Sequence, residues 1–173
     1  MHIFAICGST REQSANKQLL QAIADSYAGQ FTMEIFDGLA SLPQFNPDLD
    51  NDTVPATVTG FRNGISAADG VLICTPEYAM GVPGSLKNAL DWTVSTTVFS
   101  HKPTALITAS SQGYKAHAAL METLLVIECN IPEQARLVIP FIKTKLKGNT
   151  VIHEPTISAI NTVIHTLTNT ING

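Results

Sequence analysis

Charge is scarce in this chain: only 14% of its 173 residues are charged, and 10 lysines and arginines face 14 aspartates and glutamates. The net charge of −4 excludes the basic excess or stripe that marks a nucleic-acid-binding surface. Scarce charge with 45% hydrophobic residues also excludes intrinsic disorder, which needs the opposite balance. Cysteine is limited to Cys7, Cys74 and Cys129, each inside an apolar run and none in a CxxC pair. That pattern fits buried reduced thiols and no disulfide framework. No apolar run reaches the length of a membrane span, and no basic region precedes the first apolar stretch, which Gly8 ends. The expectation is a cytoplasmic protein with no membrane and no nucleic-acid partner. The histidines have no metal-ligand spacing and no carboxylate cluster joins them, so no metal is expected. The nucleotide fingerprints GxxxxGK[ST] and GxGxxG are missing as well.

What is present is alternation. Short apolar runs at 2–7, 31–36, 70–74, 104–109 and 136–139 suit strands buried on both faces. Between them lie stripes of helical spacing: Leu20, Ile23, Ala24 and Tyr27, then Leu120, Leu124 and Ile127. Ile157, Ile160, Ile164, Leu167 and Ile171 form the last stripe, and a shorter helix follows Pro83-Gly84 with Leu86 and Leu90. Residues 56–69 fill the remaining helical slot, although Gly60 and Gly64 lower its propensity. Strands alternating with helices imply βαβ units and a parallel sheet covered on both faces. Five strands favour an α/β, flavodoxin-like three-layer sandwich with order 2-1-3-4-5, as one domain over residues 1–173. The proline-containing stretch 37–55 is expected to be a long loop folded over a neighbour.

In such sheets, ligands bind beyond the carboxyl ends of the strands. Three strand ends carry candidate chemistry. The first, residues 8–16, combines Gly8 for a tight turn, the hydroxyls of Ser9, Thr10 and Ser14, and the guanidinium of Arg11. A helix starting near Asn16, a capping residue, would aim free N–H groups and its positive dipole end into this loop. That suits one terminal phosphate. The second, Thr75-Pro76-Glu77-Tyr78-Ala79-Met80-Gly81-Val82-Pro83-Gly84, offers a rigid backbone with Tyr78 and Met80 as a ledge for a planar heterocycle. The third, Ser110-Ser111-Gln112-Gly113, adds hydroxyl, amide and backbone donors.

The third loop has a competing interpretation. Ala109-Ser110-Ser111-Gln112-Gly113 matches a relaxed nucleophile elbow, with Ser111 as nucleophile, His117, His153 or His165 as base, and Glu133 or Glu154 as orienting carboxylate. Against a small serine hydrolase stands the length, which leaves little room for a substrate cap. A phosphoacceptor receiver domain is excluded, because the third strand ends in Cys74 and Thr75 where an aspartate is needed.

Two of these segments resemble a known family. Gly8-Ser9-x-Arg11-x-x-Ser14-x-Asn16-x-x-Leu19 is similar to the phosphate loop of NAD(P)H-dependent FMN reductases. Thr75-Pro76-Glu77-Tyr78 followed by Pro83-Gly84-x-Leu86-Lys87-Asn88-Ala89-x-Asp91-Trp92 is similar to the same family's second motif. The resemblance implies bound FMN, NADPH or NADH as electron donor, and homodimers or homotetramers. It implies transfer from the nicotinamide through the flavin to a small-molecule acceptor: a quinone, azo compound, metal oxyanion or free flavin. In this light Ser9, Thr10, Arg11, Ser14, Ala15 and Asn16 would hold the FMN phosphate. Pro76, Glu77, Tyr78 and the backbone of Ala79 would line the isoalloxazine, and Ser110, Ser111, Gln112 and Gly113 would meet its other edge. The cofactor carries the hard chemistry, so no catalytic side chain is expected. Two departures stand out: Ala79 replaces a common asparagine, and the third loop is poor in glycine. The same site would also serve a flavin-binding electron carrier that does not react with nicotinamides.

Overall fold

The computed structural model describes residues 1–51 and 53–173. Five strands form one parallel sheet: β1 (His2–Cys7), β2 (Thr32–Phe36), β3 (Gly70–Thr75), β4 (Thr104–Ser110) and β5 (Arg136–Pro140). Their order is β2-β1-β3-β4-β5, the order expected from five alternating apolar runs. Five helices connect and flank them: α1 (Ala15–Ser26), α2 (Ala56–Ala67), α3 (Gly84–Asp91), α4 (Tyr114–Val126) and α5 (Glu154–Asn172). A short antiparallel hairpin, β6 (Leu146–Lys147) with β7 (Thr150–Val151), follows the last sheet strand. Among the described residues no helix is long and apolar enough to cross a membrane.

Alternate residues of each central strand feed two cores, as the pleat requires. Phe4, Ile6, Val71, Ile73 and Leu106 pack with α2, α3 and α4. Ile3, Ala5, Leu72, Ile107 and Ala109 pack on the opposite face with α1 and α5. The strands β1, β3 and β4 are buried on both faces, as their composition requires. β2 departs from that expectation, because none of its five residues is buried. It is the outermost strand, so only one neighbour and part of a helix cover it.

The helix expectations need small corrections with clear causes. In α1, Leu19 and Ala22 join Leu20 and Ile23 in the core, while Ala24 is half-buried. Tyr27 is half-buried too and caps the helix rather than continuing it. Over 56–67 the helix forms despite Gly64, and for a packing reason. A Cβ there would lie 2.5 Å from Cε2 of Phe4, so glycine lets the helix approach the sheet. Residues 43–45 of the 37–55 stretch meet α3, which is the neighbour this part of the loop folds over. Asn88 accepts from the Phe45 N–H (2.7 Å) and donates to the Pro43 carbonyl (3.0 Å), which also accepts from the Trp92 indole (2.8 Å). Asn88 and Trp92 of the second motif therefore serve the scaffold, tethering this loop.

Candidate functional site

The loops after β1, β3 and β4 converge on one cavity of about 380 Å³ at the carboxyl edge of the sheet. That volume lies in the range of about 300–1,000 Å³ usual for small-molecule sites. Its walls include Ser9, Arg11, Ser14, Ala15 and Asn16 from the first loop and Pro76, Glu77 and Tyr78 from the second. Ser110 and Ser111 come from the third. Thr10, Ala79, Gln112 and Gly113 are not on its wall. Sequence reasoning missed Ala109 and a whole fourth segment, Phe141, Ile142, Lys143 and Thr144, after β5.

The first loop holds its donors in place from beneath. Ser14, not Asn16, is the N-cap of α1: its hydroxyl accepts from the Asn16 N–H at 3.2 Å. Asn16 turns inward instead and is 3% exposed. Its amide donates to the Ala109 carbonyl (3.1 Å) and its oxygen accepts from the Cys74 thiol (3.2 Å). The start of α1 is thereby tied to the ends of β3 and β4. The Cys7 thiol donates to the Ser9 carbonyl at 3.5 Å. Burial raises the pKa of Cys7, and burial with Cys7 nearby raises Cys74 well above the ordinary value. Both therefore stay protonated and act as structural donors rather than nucleophiles. Above this floor, Ser9 Oγ lies 3.4 Å from the Arg11 N–H and 3.5 Å from the Tyr78 hydroxyl. Two hydroxyls, a guanidinium and a helix amino terminus thus belong to residues lining the cavity, a donor set suited to a phosphate.

Glu77 does not face a ligand with its carboxylate. Both oxygens cap α4, accepting from the N–H groups of Lys115 (2.8 Å), Ala116 (2.9 Å) and Gly113 (3.4 Å). Its own N–H donates to Ser110 Oγ at 3.2 Å. One residue therefore locks the second loop to the third and satisfies a helix terminus. Glu77→Ala is expected to cost about 1–2 kcal/mol, as for a lost cap, lowering Tm by about 2–8 °C. Glu77→Gln keeps an acceptor and should recover much of it, measured by thermal unfolding of each variant.

The departure at Ala79 also has a physical reading. Tyr78 and Gly81 exchange backbone hydrogen bonds (3.0 and 2.9 Å) around Ala79 (φ 48°) and Met80 (φ 60°). Positive φ at both central positions defines a type I′ turn, which favours Asn-Gly. Left-handed backbone at two residues with Cβ atoms costs about 1–2 kcal/mol each. Ala79→Asn with Met80→Gly should raise Tm by several degrees, about 2–8 °C, in a thermal melt.

Ser111 lacks the partners a nucleophile needs. Nδ1 of His117 is bonded to the Thr108 hydroxyl (2.9 Å) and that of His153 to the Thr156 hydroxyl (2.9 Å). Burial and then the Arg136 charge hold His117 below its ordinary pKa. Among the described residues no hydrogen bond joins Ser111 to a histidine, and no acidic, histidine or cysteine group gathers to hold a metal.

The family model for NADPH-dependent FMN reductase matches residues 1–143. The chain belongs to this family. A relative from Lactobacillus johnsonii, named NADH-dependent flavin reductase subunit 2, is 34% identical over 145 residues, covering 81% of this chain and 76% of that protein. A Burkholderia protein named 2-hydroxy-1,4-benzoquinone reductase is 40% identical over 113 residues, 64% of this chain. That match spans 61% of the Burkholderia protein's length, less than two thirds. Among solved structures, the flavoenzyme NAD(P)H:(acceptor) oxidoreductase FerB of Paracoccus denitrificans superposes with a TM-score of 0.85 at 25% identity. The superposition covers 99% of this chain and 97% of FerB. In this member of the NADPH-dependent FMN reductase family, Ser9, Arg11 and Ser14 line one cavity with Tyr78 and Ser110.

Proposed function

We propose that the protein is an FMN-dependent NAD(P)H oxidoreductase that reduces small planar acceptors, quinones foremost. The observation that carries this reading is one cavity that gathers a donor set suited to one phosphate and a backbone-rich ledge. These residues fit FMN. The phosphate corner offers Ser9, Ser14, Arg11 and the α1 amino terminus, and the one carboxylate among the lining residues, Glu77, is occupied in capping α4. Pro76, Tyr78 and Ser110 would flank the planar ring. When bound, FMN accepts hydride from a nicotinamide and passes electrons on.

The chain's own task is placement. Glu77 fixes the two ring-side loops to each other, and Asn16 fixes the phosphate-side loop to the same strand ends. Held loops keep the ring and an incoming nicotinamide in near-attack geometry. Tyr78 and Phe141, 48% and 63% exposed, present aromatic surface at the mouth where a flat acceptor can lie. The name of the Burkholderia protein supports a quinone-type acceptor. A homodimer or homotetramer in the cytoplasm completes this reading. Exposed Val94, Leu125 and Val126 offer apolar surface for assembly, and three buried free thiols suit a reducing compartment.

The test is anaerobic mixing of the FMN-loaded protein with NADPH or NADH, followed by benzoquinone. The flavin absorbance should bleach with the nicotinamide and return with the quinone. Bleaching by dithionite but by neither nicotinamide would favour the electron carrier instead.

A further inference from the structure

A second cavity, of about 360 Å³, lies between α1, α5 and the β6–β7 hairpin, and shares no lining residue with the flavin cavity. Its volume is that of a small-molecule site. The hairpin builds it. Leu146 and Val151 pack into the core shared by α1 and α5, and Asn149 and Thr150 become one wall. Ile23, Ile157 and Ile160 form the apolar side. Helix α1 connects the two cavities: Ser14 caps its start at the first, and Tyr27 caps its end at the second. Its 12 residues span about 18 Å, so the second cavity is remote from the phosphate corner.

The electrostatics of this cavity have one sign. Asp25 is the only charged residue on its wall. Gln21 donates to Asp25 Oδ1 at 2.7 Å, and the other carboxylate oxygen has no partner among the described residues. The negative end of the α1 dipole lies at the same wall. The Ile23 carbonyl accepts from the Tyr27 N–H at 3.1 Å. Among the described residues no backbone N–H donates to the carbonyls of Ala24, Asp25 or Ser26 beyond the end of the helix. The last turn of α1 carries no basic side chain to offset them. The Tyr27 ring also lines the cavity, fixed by its hydroxyl donating to Asn161 Oδ1 (2.6 Å) and by stacking on Phe31 (5.6 Å between centroids).

A carboxylate, a bare helix carboxyl end and an aromatic ring each attract a cation. The isoleucine side rewards an apolar group attached to it. We propose that this cavity binds an organic ammonium ion carrying an aromatic or alkyl group. The ammonium lies at Asp25 and the end of α1, and the apolar part lies against Ile157 and Ile160. The assignment goes beyond the oxidoreductase reading and does not depend on it.

The experiment titrates the full-length protein, saturated with FMN, with phenethylamine, phenethyl alcohol and phenylpropionate, followed by amide chemical shifts. Phenethylamine should give saturable shifts at residues 22–27 and 149–151. It should bind about tenfold more tightly than the alcohol, and phenylpropionate should not bind. Asp25→Asn keeps the side chain's shape and should erase most of that preference, with FMN affinity unchanged. Thr150→Phe, made on the exposed hairpin, should fill the hollow and abolish binding of the amine. Omitting FMN should leave the amine's affinity within about twofold. Absent saturation, equal affinities for the three probes, shifts confined to residues 9–16 and 141–144, or an Asp25→Asn protein with the parental preference would overturn the assignment.

Discussion

Gly8→Ala is expected to weaken FMN binding by about 100-fold while the sheet still forms. The reason is space. A Cβ at Gly8 would lie 2.3 Å from Thr75 Oγ1, 2.7 Å from Thr75 Cβ and 3.1 Å from Leu86 Cδ2. The Gly8 N–H donates to the Cys74 carbonyl at 2.8 Å, so the backbone cannot simply withdraw. Rotating Thr75 clears its hydroxyl but not its Cβ, so β1 and the loop must shift. Overpacking of this kind costs about 1–3 kcal/mol, which here corresponds to a Tm lower by about 2–12 °C. Displacing the loop by an ångström also moves the hydroxyls of Ser9 and Ser14 away from their common target. A fall of about 100-fold in FMN affinity is expected, measured by flavin fluorescence alongside the melt.

Arg11→Ala should weaken FMN binding by about 10–100-fold, or about 1.4–2.8 kcal/mol, the worth of one charge-assisted contact. Arg11 is exposed and carries no ion pair among the described residues, so Tm of the ligand-free protein should not move. That contrast separates it from Gly8→Ala, in which both quantities change. An Arg11→Ala protein with parental FMN affinity but a raised KM for NADPH would place the guanidinium on the donor instead.

Much of this architecture is legible in the sequence, because central parallel strands are apolar on both faces and their helices carry one apolar stripe. Those patterns gave the sheet order and the positions of all five helices. What escaped lies in contacts between distant positions. Ser14 and Asn16 are both capping residues, and nothing local says which one caps. Asn16 turns inward because Ala109 and Cys74, 93 and 58 positions away, supply its partners. Gly8 was expected for a tight turn, yet its φ is not left-handed, and its real role is to let the loop approach Thr75. Gly64 is the same lesson on a helix, since its small size serves Phe4 rather than the helix itself. The segment Phe141–Thr144 was missed because it contains no glycine or proline to announce a loop. The strand-end rule applied to β5 would have found it, with Lys143 as the visible clue.

The account turns on a flavin site built for one phosphate, and parallel titrations of the purified protein with FMN and with riboflavin test it most directly. The two ligands share the ring and the ribityl chain, so only the phosphate corner distinguishes them. Each charge-assisted hydrogen bond is worth about 1.5–3 kcal/mol, and losing the phosphate removes several of them. FMN should bind at least about 100-fold more tightly than riboflavin. Equal affinities for the two, or no binding of either, would contradict the account.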